Sequence, residues 1–423
     1  MLDLILKNLS FVDGKPEIRC DIGIKDGRIV AIERELETDA EQMDMEGNLA
    51  IPGFVESHFH LDKTCILDRC RSDEGTLDEA LREVAAAKKD FTQEDIYTRA
   101  KGTLEKCIVQ GTTHMRTHLE VDPVIELKSV EAIYQLRRDY AWAFDVEICV
   151  FLQDGMLNNP GTEELMVQAL KKGAEVIGGC PYTDTNPFAQ IDRVFDLARE
   201  FDVDIDFHLD FDLDPTGLKV WHVCDNAEKY KWGGRVTIGH VSKISALAPE
   251  ALAEIPLRMA DTGVALTVLP STDLFLMGGQ HDHNIPRGVA PVHRIQDYGV
   301  LCALLTNNVL NPFTPFGDCS MIRMANLYAN IAQLGTTSAH RACLENVTTN
   351  PARLMRLSDY GIVEGGRADL IILDCTTAEN AVCEVSTPLY GFKNGIKTIA
   401  SFLCVLPVLI CTGIGNNRVC LLL

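Results

Sequence analysis

Short apolar runs and longer amphipathic stretches alternate along most of this chain. Eight runs have strand character, at residues 53–60, 112–121, 146–153, 175–180, 203–210, 235–241, 264–269 and 300–307. Between them, apolar residues recur at helical spacing over 77–89, 94–110, 128–140, 162–172 and 192–201. Such alternation predicts a parallel sheet, and eight strands is the number of the α/β barrel. Both ends of the chain are β-rich. Strands are expected at 2–6, 18–24 and 28–32, with Asp26-Gly27 as a hairpin turn, and 361–373 has a similar signature. The expected fold is therefore α/β: a (β/α)8 TIM-type barrel over 51–350 and a small composite β-domain from both termini, 1–50 plus 351–400. Residues 401–423 form an apolar tail, broken by Pro407 and Gly413. We read it as a final strand and tail, since a membrane anchor takes roughly 20 apolar residues.

Polar residues collect at the C-terminal ends of the predicted strands, where barrels carry their functional groups. His58 and His60 share one face at the end of the first strand, because strand side chains alternate. Arg116, His118 and Glu120 end the second, Gln153 the third, His208 and Asp210 the fifth, His240 the sixth, and Asn307 and Asn308 the eighth. Three imidazoles, His58, His60 and His208, with an open position describe a catalytic metal site holding one divalent transition metal, zinc or iron. Such a metal lowers the pKa of bound water from about 15.7 towards about 7. His240, one strand on, can hydrogen-bond that water or polarise the electrophile. The fourth strand ends in Gly178-Gly179-Cys180 and carries no lysine, which favours a single-metal site. His281 and His283 repeat the spacing but sit among Gly278, Gly279 and Pro286, and read as a surface loop.

Charge narrows the partners. A net charge of -22 argues against a nucleic-acid surface and favours a small-molecule substrate. Fifteen cysteines without a C-x-x-C fit free thiols in a reducing cytoplasm. Asp3 and Lys7 interrupt the first apolar stretch, so no signal peptide is read. Nothing in the pattern calls for a membrane, and a homo-oligomer stays open.

These residues resemble the amidohydrolase superfamily, in its cytosine-deaminase-like branch. The segment from Pro52 to Asp62 is similar to the first metal motif, His208-Leu209-Asp210 to the third-histidine motif, and Gly239-His240 to that of the histidine beside the metal hydroxide. Phe151-Leu152-Gln153-Asp154-Gly155 resembles the strand-three motif whose glutamine holds the pyrimidine amide. Gly75-Thr76-Leu77, Arg116-Thr117-His118 and the segment Asn308 to Phe313 are also similar. The resemblance implies a barrel deaminase with metal ligands His58, His60, His208 and Asn307 and a substrate contact at Gln153; we add His118 as a candidate substrate contact, and His240, Asn307 and Asp210 as the candidate catalytic groups. Two positions depart from the pattern. Asn307 stands where the family carries an aspartate that ligates metal and takes a proton, and Phe211 where deaminases carry a glutamate. An amide oxygen can ligate but is no base near neutral pH. Deamination of cytosine or a related ring is the leading expectation. Hydrolysis of a cyclic amide or carbamate-type bond, and a non-catalytic ligand-binding barrel, are the alternatives.

Overall fold

A computed structural model of the chain describes residues 1–12 and 18–400, together with a strand pair, Ile410–Cys411 with Cys420–Leu421. The rest of the expected tail at 401–423 lies outside the described residues. Eight parallel strands follow one another in spatial order: β1 Phe54–Phe59, β2 Thr112–Glu120, β3 Asp145–Phe151, β4 Val176–Gly179, β5 Asp204–Leu209, β6 Val236–His240, β7 Val264–Val268 and β8 Cys302–Leu304. A parallel bridge between Phe59 and Asn307 closes the ring. Two hydrogen bonds make that seam, His60 N–H to Asn307 O at 3.0 Å and Asn307 N–H to His58 O at 3.1 Å. The closing bonds of the barrel are therefore made by the backbone of three candidate site residues.

The expected helices form at Leu77–Ala87, Gln93–Val109, Lys128–Asp139, Thr162–Lys171 and Pro187–Phe201. The last begins ahead of the expected residue 192, because Asn186 caps it and Pro187 fits its first turn. β8 is shorter than expected at both ends. Beyond it Asn307 adopts φ 71°, which ends regular pairing and turns the chain.

A second sheet joins the two termini. Leu49–Pro52 pairs in parallel with Leu4–Phe11 and antiparallel with Leu370–Leu373, which continues to Pro388–Lys393 and Ile396–Ala400. Asp26 and Gly27, both at positive φ, turn the hairpin between Cys20–Lys25 and Arg28–Glu33. This sheet packs its own core around Leu6, Ile22, Ile29, Leu370 and Phe392. The barrel core is far larger, and a third apolar cluster, including Ile66, Val84, Phe91, Phe211 and Phe313, covers the C-terminal end of the strands. Thr76 caps the helix Leu77–Ala87 in that cover by accepting from Glu79 N–H, and the Glu79 carboxylate accepts from the backbone N–H groups of Asp73, Glu74 and Gly75 ahead of the cap. Among the described residues, no helix is long and apolar enough to cross a membrane.

Candidate active site

The first strand is apolar on both faces until Glu56, and its end turns two imidazoles into the barrel mouth. β5 delivers His208 opposite them. His208 Nε2 lies 3.1 Å from His58 Nε2 and 3.0 Å from His60 Nε2. A neutral imidazole nitrogen offers either one N–H or one lone pair, so mutual hydrogen bonding does not account for this trio. A shared cation does. Bonds of about 2.0–2.1 Å to one metal place ligand nitrogens about 2.9–3.4 Å apart. Burial lowers the pKa of all three, reinforced for His58 by His118, for His60 by Lys63 and for His208 by His58; that of His58 falls to about 3. The rings thus keep their lone pairs at neutral pH.

Groups behind the rings set their orientation. His60 Nδ1 faces the His118 carbonyl at 3.2 Å, which fixes Nε2 as the free nitrogen. Asp206 Oδ1 stands 3.6 Å from His58 Nδ1 and 3.5 Å from His118 Nε2, while its Oδ2 accepts from Arg116 Nη1 at 3.0 Å. Gly239 on β6 passes so close that a Cβ there would lie 2.9 Å from His58 Cε1. Asn307 donates through Nδ2 to Thr272 Oγ1 at 3.1 Å and leaves its buried Oδ1 without a protein partner. That orphaned oxygen, the three lone pairs and their spacing fit a divalent metal.

A small cavity opens on these groups, lined by His60, His208, His240 and Asn307 together with Lys63, Gln153, Tyr182, Phe211 and Phe313. Lys63 Nζ donates to Glu120 at 2.5 Å and to Gln153 Oε1 at 3.0 Å. Lys88 holds the far oxygen of Glu120 at 3.0 Å and also pairs with Asp122 and Asp154. Burial would push the Glu120 carboxyl up, but the two lysines outweigh it and bring the pKa down to about 2. Phe211 lies over the His240 ring, centroids 3.9 Å apart.

The structure brings His58, His60, His208, His240, Gln153 and Asn307 together. It does not bring His118 or Asp210 to the cavity. His118 stacks behind His58, ring centroids 3.9 Å apart, because β2 turns it under the metal-facing layer. Asp210 takes φ 47°, and its carboxylate accepts from the backbone N–H groups of Lys219 and Val220, at the start of the next helix. His281 and His283 are exposed. Sequence reasoning passed over Lys63, Asp206 and Asp273. The period of two that linked His58 to His60 also links Asp206 to His208, so Asp206 was readable. Lys63 sits in a short 3-10 helix, Leu61–Lys63, after β1 and Asp273 in the helix Pro270–Leu276 after β7, where the strand period does not apply.

A wider cleft of about 450 Å³ lies at the opposite end of the barrel, beside His114, Asp145 and Arg367. Its one cluster of acid and imidazole groups, His114, Asp145 and Asp369, already holds an ammonium: Lys393 Nζ lies 2.7 Å from both carboxylates.

A parallel eight-stranded barrel with converging imidazoles at its C-terminal face defines a metal-dependent barrel hydrolase class. The chain belongs to the amidohydrolase family, whose model matches residues 111–388. It is 29% identical over 403 residues to N-isopropylammelide isopropyl amidohydrolase of Pseudomonas sp. (strain ADP), covering 93% of this chain and 96% of that protein. A pterin deaminase of Rhizobium rhizogenes is 26% identical, over 84% of this chain and 82% of that one. The solved 5-methylcytosine deaminase of Klebsiella pneumoniae, liganded with 5-fluorocytosine, superposes with a TM-score of 0.90 at 26% identity, covering 95% and 98%.

Proposed function

We propose that this protein hydrolyses an exocyclic C–N bond of a small oxo-substituted nitrogen heterocycle, an amino-pyrimidine or amino-triazine, releasing ammonia or an amine. The observation that carries the reading is the approach of His208 Nε2 to 3.1 Å from His58 Nε2 and 3.0 Å from His60 Nε2 beside a cavity. The named activities of the relatives support it. His58, His60, His208 and the Asn307 oxygen would hold one zinc or iron ion. When bound, such an ion polarises the substrate and supplies an acidic water.

The chain's own residues do the rest. The cavity lining combines polar groups, Lys63 and Gln153, with aromatic walls, Tyr182, Phe211 and Phe313, a mix that suits a flat polar ring. Lys63 uses two of its three N–H donors on Glu120 and Gln153, leaving one for a ring oxygen. Gln153 sits beside it for an amide edge. The apolar cluster of Phe211 and Phe313 keeps bulk water away from the reacting atoms. His240 is the cavity-lining group placed to take a proton from the attacking water.

Amine release from a panel of amino-pyrimidines and amino-triazines tests the reading, before and after chelation. Turnover lost on chelation and regained with zinc or iron is expected. A metal-loaded protein that releases no amine from any ring would instead favour a ligand-binding barrel, the reading that Phe211 and Asn307 support.

A further inference from the structure

The short helix Pro270–Leu276, after β7, supports two site groups from adjacent positions. Thr272 Oγ1 holds the Asn307 amide, and is itself 2.6 Å from Thr314 Oγ1. Asp273 Oδ1 lies 2.6 Å from His240 Nδ1, and its Oδ2 is 3.2 Å from the backbone nitrogen of Leu269, which donates to it. Asp273 is fully buried. A carboxylate accepting on both oxygens takes the His240 Nδ1 proton as a donor, which leaves Nε2 as the lone-pair nitrogen. Phe211 over one face completes the hold on the ring. His240 and Val241 keep φ of 68° and 50°, strained backbone states that persist only where surroundings impose them.

We infer that Asp273 is the positioning residue for proton transfer in this chain: it presents His240 Nε2 to the cavity, in place of the carboxylates that Asn307 and Phe211 do not supply. The inference rests on the hydrolytic reading above. As the water oxygen bonds to the ring carbon, one water proton passes to His240 Nε2, and the Asp273 carboxylate holds the resulting imidazolium. When the C–N bond breaks, that proton moves to the leaving nitrogen, and both side chains return to their starting states. The hydroxyl left on carbon becomes the ring carbonyl, its proton going to the ring nitrogen.

Nitrogen-15 NMR of histidine-labelled, metal-loaded protein reads the tautomer, with the His240 signal assigned by its loss in His240→Gln. Nδ1-protonated His240 is expected in the wild type. Asp273→Asn should move it toward the Nε2-protonated form and lower kcat about 100-fold or more, with little change in KM. Asp273→Glu should restore the tautomer and part of the rate, and Asn307→Asp in the Asp273→Asn background should recover turnover. Metal content and circular dichroism check that each variant folds. An unchanged tautomer and unchanged kcat in Asp273→Asn would overturn the inference. Absence of turnover in the wild type would instead count against the hydrolytic reading, while the tautomer still reports on the Asp273–His240 pairing.

Discussion

Asn307, which lines the cavity with His60, His208 and His240, donates to Thr272 and leaves its buried oxygen without a protein partner. That geometry suits a ligand and gives no proton acceptor, so Asn307→Asp should raise amine release from the best substrate about 10-fold, read by steady-state kinetics. An unchanged rate would mean that His240 alone already carries the proton. Lys63 makes a separate prediction. Lys63→Met removes a charged donor, worth about 1.5–3 kcal/mol, so KM for an oxo-substituted ring should rise roughly 10-fold to 100-fold. A ring lacking the oxygen should show no such rise. At this scale the sequence was legible where strand periodicity applied. His58, His60, His208 and His240 stand at strand ends, and their rings lie close together in the barrel mouth. Asp210 was misplaced because its left-handed backbone turns the carboxylate to the next helix, and His118 because β2 tucks it behind His58.

β1 and the segment after β8 depend on Glu56, whose Oε2 accepts from Thr306 N–H at 3.0 Å. Burial pushes its pKa from 4.5 up to about 8, against the hydrogen bonds from Thr306 and His58. The native state therefore keeps a proton that the unfolded chain releases above about 4.5. This contribution to stability is complete below that pH and is lost as pH rises through about 8. Relative to Glu56→Gln, the metal-loaded wild type should lose urea resistance between pH 5 and 8.5. A pH-independent difference would show that Glu56 does not titrate in this range. Strand and helix positions were readable from apolar spacing, because each barrel strand is buried on both faces and each helix on one. The end of β8 was not, since the left-handed turn at Asn307 depends on the barrel seam, a contact distant in sequence.

Across the whole molecule, the seam bonds come from His58, His60 and Asn307, so the proposed metal site and barrel closure share residues. Burial holds the imidazoles of His58, His60 and His208 neutral, with His58 down to about 3, whereas an unfolded chain protonates them below about 6.5. Their contribution is thus present above 6.5 and lost as pH falls toward 3. Chelated protein should unfold in acid at a higher pH than the metal-loaded form, which circular dichroism can follow. Elemental analysis of the purified, reconstituted chain beside a His60→Ala/His208→Ala variant goes to the heart of the matter. Close to one equivalent of zinc or iron per wild-type chain, lost in the variant, is the expected result. A metal-free wild type, or equal metal in both proteins, would contradict it.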